Sequence, residues 1–392
     1  MTGAPVFAIM SLMRSTRTYT FTGKLSPRVH RNLDAFLSQQ RVLWNAALEE
    51  RISAWEKAGK NISRFDQFRS LSEIRQDSEF SQYHITCQRT VLKRLDGAFK
   101  SFFVRVKRGD KPGFPRFRGQ NRPIRSFETD TFTVKQSGKF YTVNIKGIGK
   151  IRFKADETVT DMPRLLRVVK TPLRVKVQFV CDREIEDRTD TRPPVGIDLG
   201  VKSRVALSSG EISPGVKNGT EKVKRLQRKL SRAKRGSNNR RKIKTALSKE
   251  HQRIKERAQG AVHELTAELV KRHSARFFVE DLQIGNMVKN RKLARSIHEQ
   301  QWGSLVHVLS YKAVEAGGWV ERVNPAFTSQ ACAQCGALPD IPIGLKVRMY
   351  ACKSCGRECD RDVNAAKNIL SVGLRSHGRV GQSRRDRRMK AS

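Results

Sequence analysis

The chain has 392 residues, with 79 Lys and Arg against 37 Asp and Glu, a formal charge of +42 and a pI near 10.8. That length supports two or three domains with sizeable cores, and a compact protein with that self-repulsion needs a polyanion, of which nucleic acid is the usual one. No apolar run approaches the ~18 residues of a spanning helix, no charge precedes the short apolar run at the start, and seven cysteines, four of them in two CxxC pairs, suit a reducing cytoplasm and a metal site rather than a disulfide framework.

Met10 and Met13 are candidates for alternative starts, and residues 1–13 are expected to be a disordered extension. Residues 16–21 alternate like a strand, closed by Leu25-Ser26-Pro27, with Ser26 as a helix cap and Pro27 at the first helical position. From there to about residue 101 the pattern is helical. Leu33, Phe36, Leu37, Val42, Leu43, Ala46, Ala47 and Ile52 mark one apolar face, and Tyr83, Cys87, Val91, Leu92, Leu95, Phe99 and Phe102 mark a second. The aromatic residues of this stretch sit at helix period and are expected in the core. The polar face of the second helix offers Gln88, Arg89, Lys93, Arg94 and Lys100. Residues 105–125 are rich in Gly and Pro, with Arg116 and Arg118 interleaved with Phe114 and Phe117, the mix of a loop that hugs a nucleic-acid backbone. Short strand-like runs then recur between 126 and 185, at 132–134, 140–143, 148–153, 165–169 and 175–180, a spacing that suggests a small barrel into which the helical stretch is inserted. Residues 182–191 read as a linker.

In the second half three carboxylates stand at the edges of apolar segments. Asp198 follows a buried strand in Gly196-Ile197-Asp198-Leu199-Gly200, Glu280 follows Phe277-Phe278-Val279, and Asp362 precedes a helix with Ala365, Ala366, Ile369 and Leu370 at apolar period. Singly, each is an ordinary turn, cap or strand-end acid. Together they could hold two divalent cations about 4 Å apart, the device for in-line displacement at a phosphodiester. Between the first two acids, residues 222–257 hold sixteen Lys or Arg and two acids on a helical hairpin broken at 236–239, where Lys224, Arg225 and Arg228 are candidates for phosphate contact. Residues 284–295 read as a polar connector, followed by a helix around Trp302 and Leu309 and a strand at 319–323. His298 and His307 lack partners at ligand spacing and are expected to be surface or core histidines. Cys332, Cys335, Cys352 and Cys355, with sixteen residues between the pairs, have the spacing of a four-thiolate structural zinc site, and Cys359 is a spare thiol. The tail from residue 373 holds seven Lys or Arg and one acid and is expected to be disordered when alone.

These motifs, Gly196–Gly200, Val279-Glu280-Asp281-Leu282, the two CxxC pairs and Asp360-Arg361-Asp362 with Asn364, Ala365, Ala366 and Asn368, resemble those of the TnpB family, insertion-sequence proteins related to compact type V CRISPR effectors. The match is close over the C-terminal half and looser before it. The resemblance implies an α+β multidomain protein: a wedge β-barrel (14–25 and 126–185) with an inserted helical recognition lobe and basic loop (26–125), then an RNase H-like (RuvC) nuclease (191–327 and 357–372) carrying a zinc ribbon (328–356), and a basic tail (373–392). It implies a cytoplasmic prokaryotic RNA-guided DNA endonuclease, nucleoid-associated when bound, with two Mg²⁺ ions on Asp198, Glu280 and Asp362 and one structural Zn²⁺ on the four cysteines. Its partners would be a guide RNA and a double-stranded target cut beside a short flanking motif, with no membrane; monomer and dimer are both open. Asp362 and Glu280 match the family's catalytic positions in preference to Asp360 and Asp281. Gln88 and Arg89 lie on the lobe that helps read the flanking motif, and Arg348 matches an arginine placed near the cut strand. A guided repressor that does not cut and a guide-independent resolvase are the alternatives. A strand-joining transposase would need a tyrosine nucleophile motif, and Tyr311 and Tyr350 lack the histidine pair.

Overall fold

The computed structural model describes residues 13–76, 79–120, 122–155, 163–185, 189–216, 219–344 and 347–389, with side chains described from 16 to 377. The extension expected at 1–13 lies outside these residues except for Met13. The described chain divides into two compact units, which meet between Glu184 and Ile185 in the sequence.

In the first unit β1 (Met13–Gly23) leads into three helices, α1 (Pro27–Ala58), α2 (Arg64–Ile74) and α3 (Ile85–Lys107). Ser26 caps α1 by accepting the Val29 N–H, and Pro27 sits where an amide would have no partner anyway. Ser63 and Asp66 cap α2 reciprocally. Six strands follow: β2 (Ser126–Thr129), β3 (Thr133–Ser137), β4 (Phe140–Ile145), β5 (Gly149–Lys154), β6 (Pro163–Lys170) and β7 (Val175–Ile185). They form a four-stranded sheet in the order β1-β7-β6-β2 and an antiparallel three-stranded sheet β3-β4-β5, joined by a bridge between Lys24 and Arg152. The helices and both sheets share one core around Leu33, Phe36, Leu95, Phe127, Phe153 and Phe179. The helices are therefore an insertion between β1 and β2 of a strand-rich unit. The expected linker is partly strand, since β7 reaches Ile185, and partly anchored. Asp190 accepts the Ala275 N–H and pairs with Arg192, which hold its carboxyl well below the usual range.

The second unit is built on a five-stranded sheet in the order β10-β9-β8-β11-β12. Here β8 (Val195–Asp198), β9 (Ser203–Leu207) and β10 (Ile212–Pro214) form an antiparallel meander, while β11 (Arg276–Glu280) runs parallel to β8 and β12 (Trp319–Val323) parallel to β11. Between β10 and β11 lies the basic hairpin, α4 (Glu221–Arg232) and α5 (Asn238–Arg272), its turn capped by Ser237. The stretch expected as a connector forms two helices instead, α6 (Ile284–Met287) and α7 (Arg291–Gln300). Asn290 caps α7, while Ile297 and Gln300 are buried, which the local polarity concealed. Next comes α8 (Trp302–Glu315).

Strand alternation sorts the layers. Val195, Ile197, Phe277 and Val279 face a core made with Val262 and Leu269 of α5 and Trp302, Leu305 and Leu309 of α8. The alternate residues, Gly196 and Phe278, face the last helix, α9 (Arg361–Met389). A Cβ on Gly196 would overlap the Ala366 carbonyl oxygen, so this glycine is what lets the helix lie directly on the sheet. The antiparallel hairpin of β13 (Met349–Ala351) and β14 (Glu358–Asp360) runs directly into α9. The tail expected to be disordered from 373 is helical as far as Met389. Gly373 packs on the Phe278 ring, and His377 stacks on Trp319 at 4.6 Å and bonds Glu321 at 2.7 Å.

Candidate active site and cysteine cluster

Asp198 and Glu280 end neighbouring parallel strands. Ile197 lies opposite Val279, so the register carries the two acids to the same level at the carboxyl edge of the sheet. Each is two residues beyond a position facing α9, Gly196 and Phe278, so both carboxylates project to that side. On α9, Asp362 lies one turn before Ala366, which rests on Gly196. Four residues of helix rise about 6 Å and two of strand about 6.6 Å, so Asp362 arrives beside Asp198.

The acids feel one another. Burial, then the charges of Glu280 and Asp362, push Asp198 up to about 8, against a hydrogen bond from the Leu199 N–H. Burial raises Glu280 too, opposed by the Thr328 hydroxyl that bonds its Oε1. Arg348 Nη1 stands 3.6 Å from Asp362 Oδ2. Among the described residues the only group of three or more His, Cys, Asp or Glu with ligand atoms all within 4.8 Å of one another is the cysteine quartet, so the three carboxylates converge without packing that tightly. Mutually repelling, partly buried acids on three separate backbones are an oxygen donor set short of positive charge, and hard divalent cations fit that set.

The two neighbouring acids have partners of their own. Asp360 Oδ1 accepts the N–H groups of Asp362 and Val363 at 2.8 and 3.2 Å, which makes it the cap of α9. Asp281 pairs with Arg322 at 2.9 Å on the surface. Sequence reasoning passed over three positioning residues. Thr328 holds Glu280. Asn364 is fully buried, accepting from the Ala333 N–H at 2.9 Å and donating to the Ala331 carbonyl at 2.7 Å. Asn368 donates to the carbonyls of Thr328 and Ala331. Asparagines four apart on one face of a helix otherwise lined by alanine were the available signal, since a buried amide must find backbone partners.

The ribbon gathers its four thiols. Cys332 and Cys355 sulfurs are 3.7 Å apart and those of Cys335 and Cys352 3.6 Å. A tetrahedron with Zn–S near 2.3 Å has edges of about 3.8 Å, so the quartet fits zinc. Gly336 and Gly356, both at positive φ, close the two knuckles by donating to the Cys332 and Cys352 carbonyls. N–H groups of Cys355 and Ser354 pull the Cys352 thiol down, toward the thiolate that a metal needs, while burial and the neighbouring sulfurs push the Cys355 thiol up. Cys359 lies outside the quartet, half-buried against it.

The expected nucleic-acid residues divide. Lys224, Arg225 and Arg228 are exposed along α4, and Arg116 is exposed on its loop. Gln88 is not available: it is fully buried, its amide donating to Gln39 and the Phe80 carbonyl and accepting from Arg75, so it is a core residue. The helical pattern around it did not show that its face meets two other helices. Arg89 lies over Phe68 at 5.1 Å, and Arg118 over Trp44 at 4.2 Å with its backbone bonded to Asn45, so both are half-buried in packing.

Two family models match, "Cas12f1-like, TNB domain" over residues 302–369 and "Probable transposase" over residues 173–291. A protein of Streptomyces pristinaespiralis named "Putative RNA-guided DNA endonuclease" is 31% identical over 343 residues, 85% of this chain and 83% of its own. The chain belongs to the TnpB family. A second relative, "Putative RNA-guided DNA endonuclease InsQ" of Escherichia coli K12, is 31% identical over 72% of this chain and 73% of its own, and proteins named TnpB-like match shorter stretches. Among solved structures, a Cas12f1–sgRNA–target DNA complex aligns with 91% of this chain and 99% of its own at a TM-score of 0.59 and 14% identity, which places this TnpB chain in the same mixed α/β fold. No helix among the described residues is long and apolar enough to cross a membrane.

Proposed function

We propose that this TnpB-family chain is a transposon-encoded, RNA-guided DNA endonuclease, and that Asp198, Glu280 and Asp362 are its catalytic acids. The observation that carries this reading is the convergence of the three acids on the α9 side of one sheet edge, close enough that Glu280 and Asp362 both raise Asp198. The sheet order, an antiparallel meander joined to parallel strands, is that expected of an RNase H-like (RuvC) nuclease at 191–327 and 357–372, with the zinc ribbon of 328–356 inserted. The bridged sheets of 14–25 and 126–185 correspond to the wedge barrel, and 26–125 to the recognition lobe.

Asp198, Glu280 and Asp362 would hold two Mg²⁺ ions, which when bound lower the pKa of water and stabilise the leaving oxygen of the phosphodiester. The chain's own residues do the rest. Thr328 holds the Glu280 carboxylate by a hydrogen bond, Asp360 fixes the first turn of α9, and Arg348, 3.6 Å from Asp362, would contact a phosphate of the cut strand. The cations of α4 and α5 hold a nucleic-acid backbone without reading its sequence. Sequence comes from base pairing to the guide, with the protein reading backbone shape and a short flanking duplex. Cys332, Cys335, Cys352 and Cys355 would hold a single structural Zn²⁺ with no open position. The expected setting is the prokaryotic cytoplasm.

The test is cleavage of matched and mismatched duplexes by protein purified with its co-expressed RNA, with and without Mg²⁺. Guided cutting that needs Mg²⁺, and that disappears in Asp198→Ala while the RNA stays bound, is expected. Cutting independent of RNA would make the protein a resolvase; guided binding without cutting would make it a repressor.

A further inference from the structure

Among the described residues only two other than glycine have positive φ, Gln301 and Phe327. Gln301 has a structural reason: it is the joint between α7 and α8, flanked by buried Gln300 and Trp302. Phe327, at φ 62°, has none of that kind. Its side chain is 67% exposed, and no aromatic or cationic group among the described residues partners its ring. A left-handed backbone is unfavourable for a bulky residue, and glycine or asparagine would take the position with less strain. An exposed ring adds a hydration cost and no packing.

The loop around it is braced on both sides. Ala326 N–H bonds Asn324 Oδ1 at 3.0 Å, and the Phe327 carbonyl accepts from Gln330 and Ala331 at 3.0 Å each. Gln330 in turn exchanges hydrogen bonds with Ile343, and Tyr350 donates to its carbonyl. The next residue is Thr328, whose hydroxyl bonds Glu280. A braced loop thus holds a ring out to solvent, in a conformation that its residue type disfavours, one residue before the threonine that bonds Glu280. Strain of this kind, over-determined by its surroundings, clusters where a side chain has work to do.

We propose that Phe327 is a stacking platform for one nucleobase of the DNA strand led into the acid site. A base offers a flat π-face to any aromatic ring whatever its identity, so such a platform places the strand without adding sequence preference. The proposal rests on the nuclease reading above and adds to it a residue that sets where along the strand the phosphodiester meets the acids.

The test uses the RNA-loaded protein with matched duplexes carrying 2-aminopurine at successive positions around the cut, with Ca²⁺ in place of Mg²⁺ for fluorescence and Mg²⁺ for cleavage. Four proteins are compared: wild type, Phe327→Gly, Phe327→Leu and Phe327→Trp. Wild type and Phe327→Trp should quench 2-aminopurine at one position. Phe327→Gly should lose that quenching and cut roughly tenfold more slowly or worse, although it relieves the backbone and should melt no lower and retain its RNA. Phe327→Leu, with bulk and no π-face, should resemble Phe327→Gly. Wild-type quenching and cutting in Phe327→Gly or Phe327→Leu would overturn the platform while leaving the nuclease reading intact, as would a Phe327→Trp protein no better than Phe327→Gly. A wild-type protein that cuts no matched duplex would sink the nuclease reading and the platform with it.

Discussion

Asp198 ends a strand whose other three residues are buried, and it shares its surroundings with two more acids. An unstructured aspartate titrates near 3.9, whereas Asp198 in the folded, magnesium-free protein is pushed up to about 8. The folded state therefore holds a proton that the unfolded chain has released throughout that interval. The stability contributed by the protonated acid is complete below about 4 and drains away as pH rises toward about 8. Wild type should lose on the order of 2 kcal/mol relative to Asp198→Asn between pH 6 and 8. Melting both proteins without Mg²⁺ at the two pH values checks this, and an unchanged gap between them would mean that the carboxyl is not held protonated. Added Mg²⁺ should raise the wild-type melting temperature at pH 8 and leave Asp198→Asn nearly unmoved, because the ion replaces the proton.

At the scale of elements, α9 is the part on which the site depends, and its seating was only half legible in the sequence. The apolar period of Ala365, Ala366, Ile369 and Leu370 announced a helix, and Asp362 announced its acid. That the helix lies on Gly196 was hidden, because a glycine in a strand signals close approach without naming what approaches. Helix period likewise put Gln88 on a polar face that the fold turns inward, and polar composition masked α6 and α7, whose few buried residues suffice once caps are in place. The cysteine cluster was legible because thiolate ligation restricts residue type and spacing, and the three acids stood out only through the motifs around them; amides such as Asn364 were not legible, because their partners are backbone groups distant in sequence. Gly196→Ala should force Ala366 and Leu370 off the sheet, at a cost of about 3 kcal/mol in urea unfolding, with guided cutting lost even at temperatures where the protein stays folded. The ribbon reaches the site through the same helix: Ala333, inside the first CxxC, donates to Asn364, and the Arg348 carbonyl accepts the Arg361 N–H at 2.8 Å. Stripping zinc, or Cys352→Ser, should therefore loosen Asp362 as well as the ribbon. Cutting should fall by at least about tenfold while RNA binding persists, measured beside metal content. A zinc-free protein that cuts at the normal rate would show that the ribbon and the acids are independent.

For the whole molecule the dominant quantity is a charge of +42, and its placement on the hairpin separates structure from binding. Buried Glu250 is ringed by Lys222, Arg253 and Arg257, and the first two, each at 3.1 Å, hold its carboxyl below the usual range. Lys222 thereby ties α4 to α5, while Arg253 and Arg257 neutralise Glu250 from within α5. Lys224, Arg225 and Arg228 are exposed on α4 and pair with no carboxylate among the described residues. The two sets should behave in opposite ways. Replacing Lys224, Arg225 and Arg228 together by alanine should leave the melting temperature unchanged and flatten the dependence of log K on log salt by about 2 to 3, because each duplex phosphate contact contributes roughly 0.9 and each single-strand contact roughly 0.7 to that slope. Replacing Lys222 and Arg253 should lower the melting temperature, since a carboxylate would be left buried with little compensation. The measurement is a salt series of RNA loading and of duplex binding by the loaded protein, run beside melting curves for both sets of variants. An unchanged slope in both series would mean that the exposed cations of α4 face only solvent, and a lowered melting temperature for the exposed triple variant would mean that they too are structural.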